Sequence, residues 1–104
     1  DTKNKIKELQ NLEQTMNQLM MQKQAFQIEL TETENALLEI GKSNNDIYKL
    51  VGTIIIKAEK NNVQEELKRK RDLFSLRLKS IENQEQNINK QVDEIRQVIL
   101  KKVG

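Results

Sequence analysis

The chain of 104 residues contains no cysteine, histidine, proline or tryptophan. The lack of cysteine excludes disulfide bonds, which is compatible with a cytoplasmic location. The lack of both histidine and cysteine removes the commonest general base, the thiol nucleophile and the soft metal ligands, so we expect neither an enzyme nor a metal or cofactor site. The lack of proline means that long helices can run without a kink.

Aromatic side chains are also scarce, since Phe26, Tyr48 and Phe74 are the only ones in the chain. Hydrophobic residues make up 36% of the sequence, which is below the roughly 45–50% of globular domains. This composition is too poor in apolar residues for a compact core and favours long helices that share a narrow apolar seam. No apolar run reaches about 18 residues, so we expect no membrane-spanning segment.

Charged residues of the two signs nearly cancel. The 18 basic and 16 acidic residues leave a net charge of +2. A dedicated nucleic-acid-binding protein normally carries a clear basic excess, so the balance argues against nucleic acid as a partner. The basic run Lys68–Arg71 is flanked by Glu65, Glu66 and Asp72, a pattern typical of the solvated outer face of a coiled coil.

The first part of the chain has the alternating steps of three and four residues that indicate a coiled-coil seam. Of the ten seam positions, eight are apolar, namely Leu9, Leu12, Met16, Leu19, Phe26, Leu30, Leu37 and Ile40. Lys23 and Thr33 occupy the other two. Lys23 either fixes the register of the seam, marks a local opening of the coil, or simply extends its ammonium group to solvent, and we favour the last interpretation. The pattern predicts a helix over residues 3–41.

The last part of the chain carries a second seam. The residues at a constant spacing of seven are Leu67, Phe74, Ile81, Ile88 and Ile95, and Leu78, Val92 and Ile99 fill the row beside them. Arg71 and Glu85 interrupt that second row. We predict a helix over residues 62–102, with Asn62 as its N-cap, and a left-handed Gly41 after the first helix. The two helices should form an antiparallel pair within a single domain, residues 1–104.

Residues 46–60 between the helices have the composition of a β-hairpin. A two-residue loop, Gly52-Thr53, suits a type II′ turn with glycine first. It places Val51 opposite Ile54, Leu50 opposite Ile55 and Tyr48 opposite Lys57. One face then carries Ile47, Val51, Ile54, Ile56 and Ala58, and the other carries Tyr48, Leu50 and Ile55.

Such a hairpin is incomplete on its own. A two-stranded ribbon is marginally stable in water, and its free edges invite pairing with other strands. We therefore expect residues Ile47 to Ala58 to be an oligomerisation element that joins an intermolecular sheet or barrel.

Three stretches of the sequence closely resemble the β-type subunit of prefoldin. The most specific is DIYKLVGTIIIKAEK, and MQKQAFQIELTETENALLEI and NQEQNINKQVDEI also look like the family. The resemblance implies a hexamer of two α-type and four β-type subunits, whose hairpins form a β-barrel platform that carries six antiparallel coiled coils. A second hairpin is absent, which disfavours the α-type role, and the chain is shorter at both ends than many family members.

The resemblance also implies a function. The family consists of ATP-independent chaperones that hold unfolded client proteins at the coiled-coil tips and deliver them to a cytosolic group II chaperonin. In this chain the tips would be the start of the first helix and the end of the second. The candidate client-binding residues off the seam are Ile6, Met20, Met21, Val98, Leu100 and Val103, and those on the seam are Leu9, Leu12, Met16, Ile95 and Ile99.

Two other functions remain open from the sequence. The chain is alternatively a structural coiled-coil module that assembles through its hairpin and binds no unfolded protein. A basic helical nucleic-acid binder is the third and weakest reading. Suppression of client aggregation without nucleotide distinguishes the chaperone from the structural module, and salt-dependent binding to DNA or RNA would be needed to support the third.

Overall fold

The computed structural model of the protein describes residues 1–103, with the side chains of residues 1–102. Gly104 and the side chain of Val103 lie outside the described part, and the predicted tip contact at Val103 falls there. The element order is α1 (Thr2–Lys42), β1 (Ile47–Val51), β2 (Ile54–Ala58) and α2 (Lys60–Val103). Two long helices joined by a single antiparallel hairpin are therefore confirmed.

The chain divides into two compact units that each contain part of both helices. The terminal unit consists of Asp1–Ala25 together with α2 from Arg77 onward, and the hairpin unit consists of Phe26–Leu76. In the terminal unit, Glu13 lies near Arg96 and Lys23 lies near Glu85. Because the partner on α2 moves back as the residue on α1 moves forward, the helices run antiparallel there.

The terminal unit holds most of the buried apolar residues. They are Leu19, Leu78, Ile81, Ile88 and Val92, each at most 9% exposed. All five occupy seam positions predicted from the heptad pattern. Ridges of one helix pack between those of the other along such a seam, so a single stripe on each helix supplies the apolar contacts of this unit.

The hairpin unit has a different interior. Phe26 and Phe74 bring their ring centroids to 6.1 Å with a tilt of 41° between the planes. This spacing falls within the range in which aromatic rings attract each other. Thr33 is buried at 6% exposure, and its hydroxyl donates to the Glu29 carbonyl at 2.7 Å. The polar interruption of the seam is therefore satisfied within its own helix.

The expectation that Lys23 extends to solvent is wrong. Its Nζ lies 3.3 Å from Glu85 Oε1, and the two side chains are 30% and 20% exposed. That oxygen is enclosed and receives no well-formed hydrogen bond from the described residues. The two charges that interrupt the seam in the terminal unit thus meet each other, because a half-buried ammonium is stabilised by an opposite charge more than by partial solvation.

Both predicted helix caps are also wrong. Gly41 is helical, and α1 ends one residue later, where the Ser43 N–H donates to the Ile40 carbonyl at 3.2 Å. A tightened last turn of this kind satisfies the carbonyl without a left-handed residue. At the other end, α2 begins two residues before Asn62.

Glu59 is the N-cap residue of α2 in place of Asn62. Its carbonyl accepts the first intrahelical hydrogen bond, from the Val63 N–H at 3.1 Å. Asn62 lies in the first turn and donates from its side-chain amide to Glu59 Oε2 at 3.3 Å. The reason is geometric, because β2 ends at Ala58 and the chain turns into the helix after a single residue.

The hairpin has the predicted register. Val51 pairs with Ile54, Leu50 with Ile55 and Tyr48 with Lys57. Gly52 has a φ of 62° and is the one described residue with positive φ. Positive φ at the first turn position and negative φ at the second is the type II′ pattern, whose twist matches that of the flanking strands.

We predict that Lys23 and Glu85 stabilise the fold as a pair. Lys23→Met leaves the Glu85 carboxylate half-buried without its partner, so we expect a loss of about 1–2 kcal/mol, between the values for exposed and fully buried pairs. Urea unfolding followed by circular dichroism measures this loss. The exchanged variant Lys23→Glu/Glu85→Lys should recover most of it. The prediction would be contradicted if the stability loss of the exchanged variant equalled the sum of the losses of Lys23→Glu and Glu85→Lys.

Candidate functional site

The hairpin has two faces that the register defines. Residues that pair across an antiparallel sheet point to the same side. The Lys49 face therefore consists of Ile47, Lys49, Val51, Ile54, Ile56 and Ala58. The Tyr48 face consists of Tyr48, Leu50, Ile55 and Lys57. Each face is apolar apart from one lysine.

Apolar side chains are exposed on both faces. On the Tyr48 face, the opposed residues Leu50 and Ile55 are 68% and 69% exposed. On the Lys49 face, the opposed residues Val51 and Ile54 are 52% and 64% exposed. Tyr48 and Ile56 are also exposed. The half-buried strand residues are Ile47 and Ala58 at the base and Lys49 in the middle of β1.

This surface has more exposed apolar residues than ordinary surface variation accounts for. Isolated exposed apolar residues are common, but here six large ones lie on ten strand residues. Contiguous apolar patches of this kind usually mark a protein interface. The sheet has only two strands, so each strand also has an edge whose backbone groups are free to pair with another strand.

Three lysines attach the hairpin to the rest of the hairpin unit. Lys49 Nζ donates to Glu66 Oε2 at 2.8 Å and to Oε1 at 3.0 Å, which connects β1 to α2. Lys57 Nζ lies 3.7 Å from Asp46 Oδ2. Lys60 Nζ donates to the Ser43 carbonyl at 2.9 Å, which closes the base of the hairpin. The three ammonium groups therefore contact acceptors of their own chain, and the side chains on the rest of the hairpin surface are apolar.

The ion pair with Lys49 affects the ionisation of Glu66. The hydrogen bond and the charge of Lys49 hold the pKa of the Glu66 carboxyl below its ordinary value, with smaller contributions in the same direction from Lys70 and Arg69. A neighbouring cation favours the carboxylate form. Sequence reasoning missed Glu66, although a lysine within an apolar strand was a signal that an acidic partner lies nearby.

The predicted tip residues all lie in the terminal unit and fall into two groups. The off-seam residues Ile6, Met20, Met21, Val98 and Leu100 are exposed, with Met21 and Leu100 at 71% and 69%. The seam residues Leu9, Leu12, Met16, Ile95 and Ile99 are half-buried. The distinction drawn from the heptad frame therefore matches the exposure of the side chains.

Two grooves run beside the seam of the terminal unit. The larger, about 520 Å³, has a floor of Met16, Ile88 and Val92 and a rim that includes Glu13 and Arg96. The smaller, about 210 Å³, includes Leu12 and Ile95. Sequence reasoning assigned Ile88 and Val92 to packing alone and missed that they also line a groove. The sequence did contain a signal for this groove, because polar residues flank Ile88 and Val92 at the heptad positions beside the seam.

No group of three or more acidic side chains among the described residues is placed to hold a metal ion. Neither helix, over the part that the structure describes, has an apolar stretch sufficient to cross a membrane.

The comparison with known proteins agrees with this architecture. A family model described as prefoldin subunit matches residues 3–104. The chain belongs to the prefoldin subunit family. Its prefoldin relatives include the prefoldin subunit beta of Thermococcus onnurineus, which is 40% identical over 88% of this chain and 81% of the relative. The prefoldin subunit beta of Methanothrix thermoacetophila is 32% identical over 97% of this chain and 86% of the relative.

Solved prefoldin structures have the same fold. The crystal structure of the prefoldin beta subunit from Thermococcus strain KS-1 superposes with a TM-score of 0.90 at 33% identity, over 96% of this chain and 90% of that one. The prefoldin beta2 subunit from the same strain gives a TM-score of 0.73 at 19% identity, over 84% and 95% of the two chains, a likeness of fold. The resemblance to β-type prefoldin is confirmed.

We predict that the Lys49–Glu66 contribution to stability disappears in acid. Because the folded-state pKa of Glu66 is lowered, the contribution is complete above the ordinary glutamate pKa and is lost as pH falls through the lowered value. The thermal midpoint of the wild type should exceed that of Glu66→Gln at pH 7, and the difference should shrink as the pH falls below the ordinary glutamate pKa and through the lowered pKa of Glu66. A difference that is constant from pH 7 to pH 3 would contradict this assignment.

Proposed function

We propose that this chain is a β-type subunit of a hexameric prefoldin with two α-type and four β-type subunits. The observation that carries the proposal is the exposure of apolar side chains on both faces of the hairpin. A β-barrel formed by hairpins from several chains covers one face in its interior and pairs both free edges. The second face then packs against neighbouring elements of the assembly. In the lone chain these side chains are left uncovered.

The assembled protein acts as a molecular chaperone that holds unfolded proteins without ATP. The exposed off-seam residues of the terminal unit support this role, because they offer apolar contacts that the seam does not use. Methionine side chains such as Met20 and Met21 are flexible and adapt to varied partners. Each contact is weak, and several tips that act on one client raise its effective concentration and therefore the overall affinity.

Delivery of the client to a group II chaperonin, and a cytoplasmic location, complete the proposal. Both are supported by membership of the prefoldin family. The chain has no glycine-rich phosphate-binding loop, in agreement with a holding function that needs no nucleotide.

Assembly through the hairpin is tested by making its Tyr48 face polar. Leu50→Ser/Ile55→Ser should prevent hexamer formation with an α-type subunit, since both side chains would lose their burial, worth about 1.5–3 kcal/mol each, in every copy. Native mass spectrometry measures the outcome. The matched control is Leu73→Ser/Leu76→Ser, which changes two exposed leucines of α2 and should leave the hexamer intact. Hexamers of normal mass from the hairpin variant would contradict the proposed role.

Client binding is tested by replacing four exposed tip residues. Ile6→Ser/Met20→Ser/Val98→Ser/Leu100→Ser should reduce the suppression of aggregation of a chemically unfolded protein by about tenfold or more, because several contacts per client are lost at once. Light scattering without nucleotide measures this. The control changes Ile28, Leu38, Leu73 and Leu76 to serine, four residues of similar exposure in the hairpin unit. Equal suppression by intact hexamers of both variants would favour a purely structural coiled-coil module.

A further inference from the structure

The Lys49 side chain makes a contact that distinguishes the two faces of the hairpin. Lys49 lies in the middle of β1, opposite Ile56 and beside Val51 on an otherwise apolar face. Its ammonium group donates to both oxygens of Glu66. Among the polar side-chain contacts of residues 1–102, this is the one that joins a strand residue to a helix. The contacts of Lys57 and Lys60 reach Asp46 and Ser43, which precede β1.

The other contacts that hold the hairpin lie at its base, where Lys57 reaches Asp46, Lys60 reaches Ser43 and Ile47 is half-buried. Both faces are apolar and exposed toward the turn, so packing favours neither face strongly. Of the two backbone connections at the base, the one before β1 is longer, since residues 43–46 lie outside helices and strands, whereas a single residue, Glu59, joins β2 to α2. A double hydrogen bond from the centre of β1 to α2 restricts rotation of the hairpin about its long axis and keeps the Lys49 face on the side of Glu66.

The rotation of the hairpin decides whether strands of different chains are able to pair. Hydrogen bonds between strands need edges that are nearly coplanar and about 4.8 Å apart. A hairpin rotated away from this arrangement presents its apolar faces but not its edge. The apparent affinity for a partner falls in proportion to the fraction of chains that hold the competent orientation.

We propose that Glu66 is a positioning residue for assembly, which acts through Lys49 to orient the hairpin for pairing with the hairpin of a second prefoldin-type chain. This inference rests on the proposed function, because it assumes that hairpins of different chains pair. It assigns the specificity of that pairing to a residue outside the apolar interface. Glu66 is not expected to touch the partner.

The expected effect is modest for one chain and larger for the assembly. A partly exposed ion pair changes an equilibrium by a small factor, so Glu66→Gln should weaken each hairpin–hairpin contact roughly two- to fivefold. These factors multiply over the copies in an assembly. The concentration at which half of the chains are assembled should therefore rise clearly, while the helical circular dichroism signal of the chain stays the same.

The test uses the full chain with four sequences: wild type, Glu66→Gln, the exchanged pair Lys49→Glu/Glu66→Lys, and Glu65→Gln as control. Glu65 is the adjacent glutamate and makes only a 3.8 Å contact to Lys68 on its own helix. Mass photometry over a dilution series, with and without an α-type prefoldin subunit, gives the assembly midpoint. The proposal expects a higher midpoint for Glu66→Gln alone and a return toward the wild-type value in the exchanged pair.

A second measurement separates orientation from other effects. Because the chain has no cysteine, spin labels placed at Ile55→Cys, on the Tyr48 face and away from the hairpin axis, and at Leu73→Cys on α2 report one distance that changes when the hairpin rotates. Glu66→Gln should give a broader distance distribution than the wild type, and the exchanged pair should give a narrower one than Glu66→Gln. Unchanged midpoints and distances in Glu66→Gln would overturn the inference. Failure of the wild type to assemble in any mixture would instead overturn the proposed function, since the label distances test the orientation without assembly.

Discussion

A helix in a two-helix pair is able to bury only one stripe of its side chains, and this limit governs the rest of the molecule. In the terminal unit the stripe is filled by five nearly buried residues, and there is no second layer to cover anything else. The described off-seam residues Ile6, Met20, Met21, Val98 and Leu100 remain exposed. The same limit applies to the hairpin, since two strands have no sheet or helix layer large enough to cover both faces.

The positions of the exposed apolar residues therefore carry the functional information. On the hairpin they are contiguous on both faces and accompanied by free strand edges, which is the chemistry of an assembly interface. In the terminal unit they include flexible methionines, which suits weak contacts with varied polypeptides. A single chain thus combines a surface suited to a fixed partner with a surface suited to changing ones.

The heptad spacing and the hairpin register were predictable from the sequence because both depend on side-chain periodicity. A strand has a period of two and a coiled-coil helix a period of 3.5, so a central apolar segment between two heptad regions has few alternatives. The turn was predictable for the same local reason, because Gly52 tolerates the positive φ that a type II′ turn requires. The membership of the prefoldin family followed from short motifs in these same segments.

The helix ends and the polar contacts were less accessible to sequence reasoning. Asn62 is a good N-cap by residue type, but the end of β2 at Ala58 determined where α2 begins. The partner of Lys49 lies 17 residues away on another element, and local patterns contain no information about that distance. Glu85 was noted as an interruption, and only the three-dimensional alignment of the two helices identified it as the partner of Lys23.

The placement of Lys23 and Glu85 has a consequence for how the chain avoids misalignment. Heptad seams are nearly identical after a shift of one repeat, so sliding α1 by seven residues along α2 would preserve most leucine and isoleucine contacts. After such a shift Lys23 would face Leu78 or Val92. The Lys23 ammonium and the Glu85 carboxylate would then both be partly buried without a counterion. The pair thereby makes frame-shifted helix alignments unfavourable, in addition to its contribution to the stability of the correct alignment.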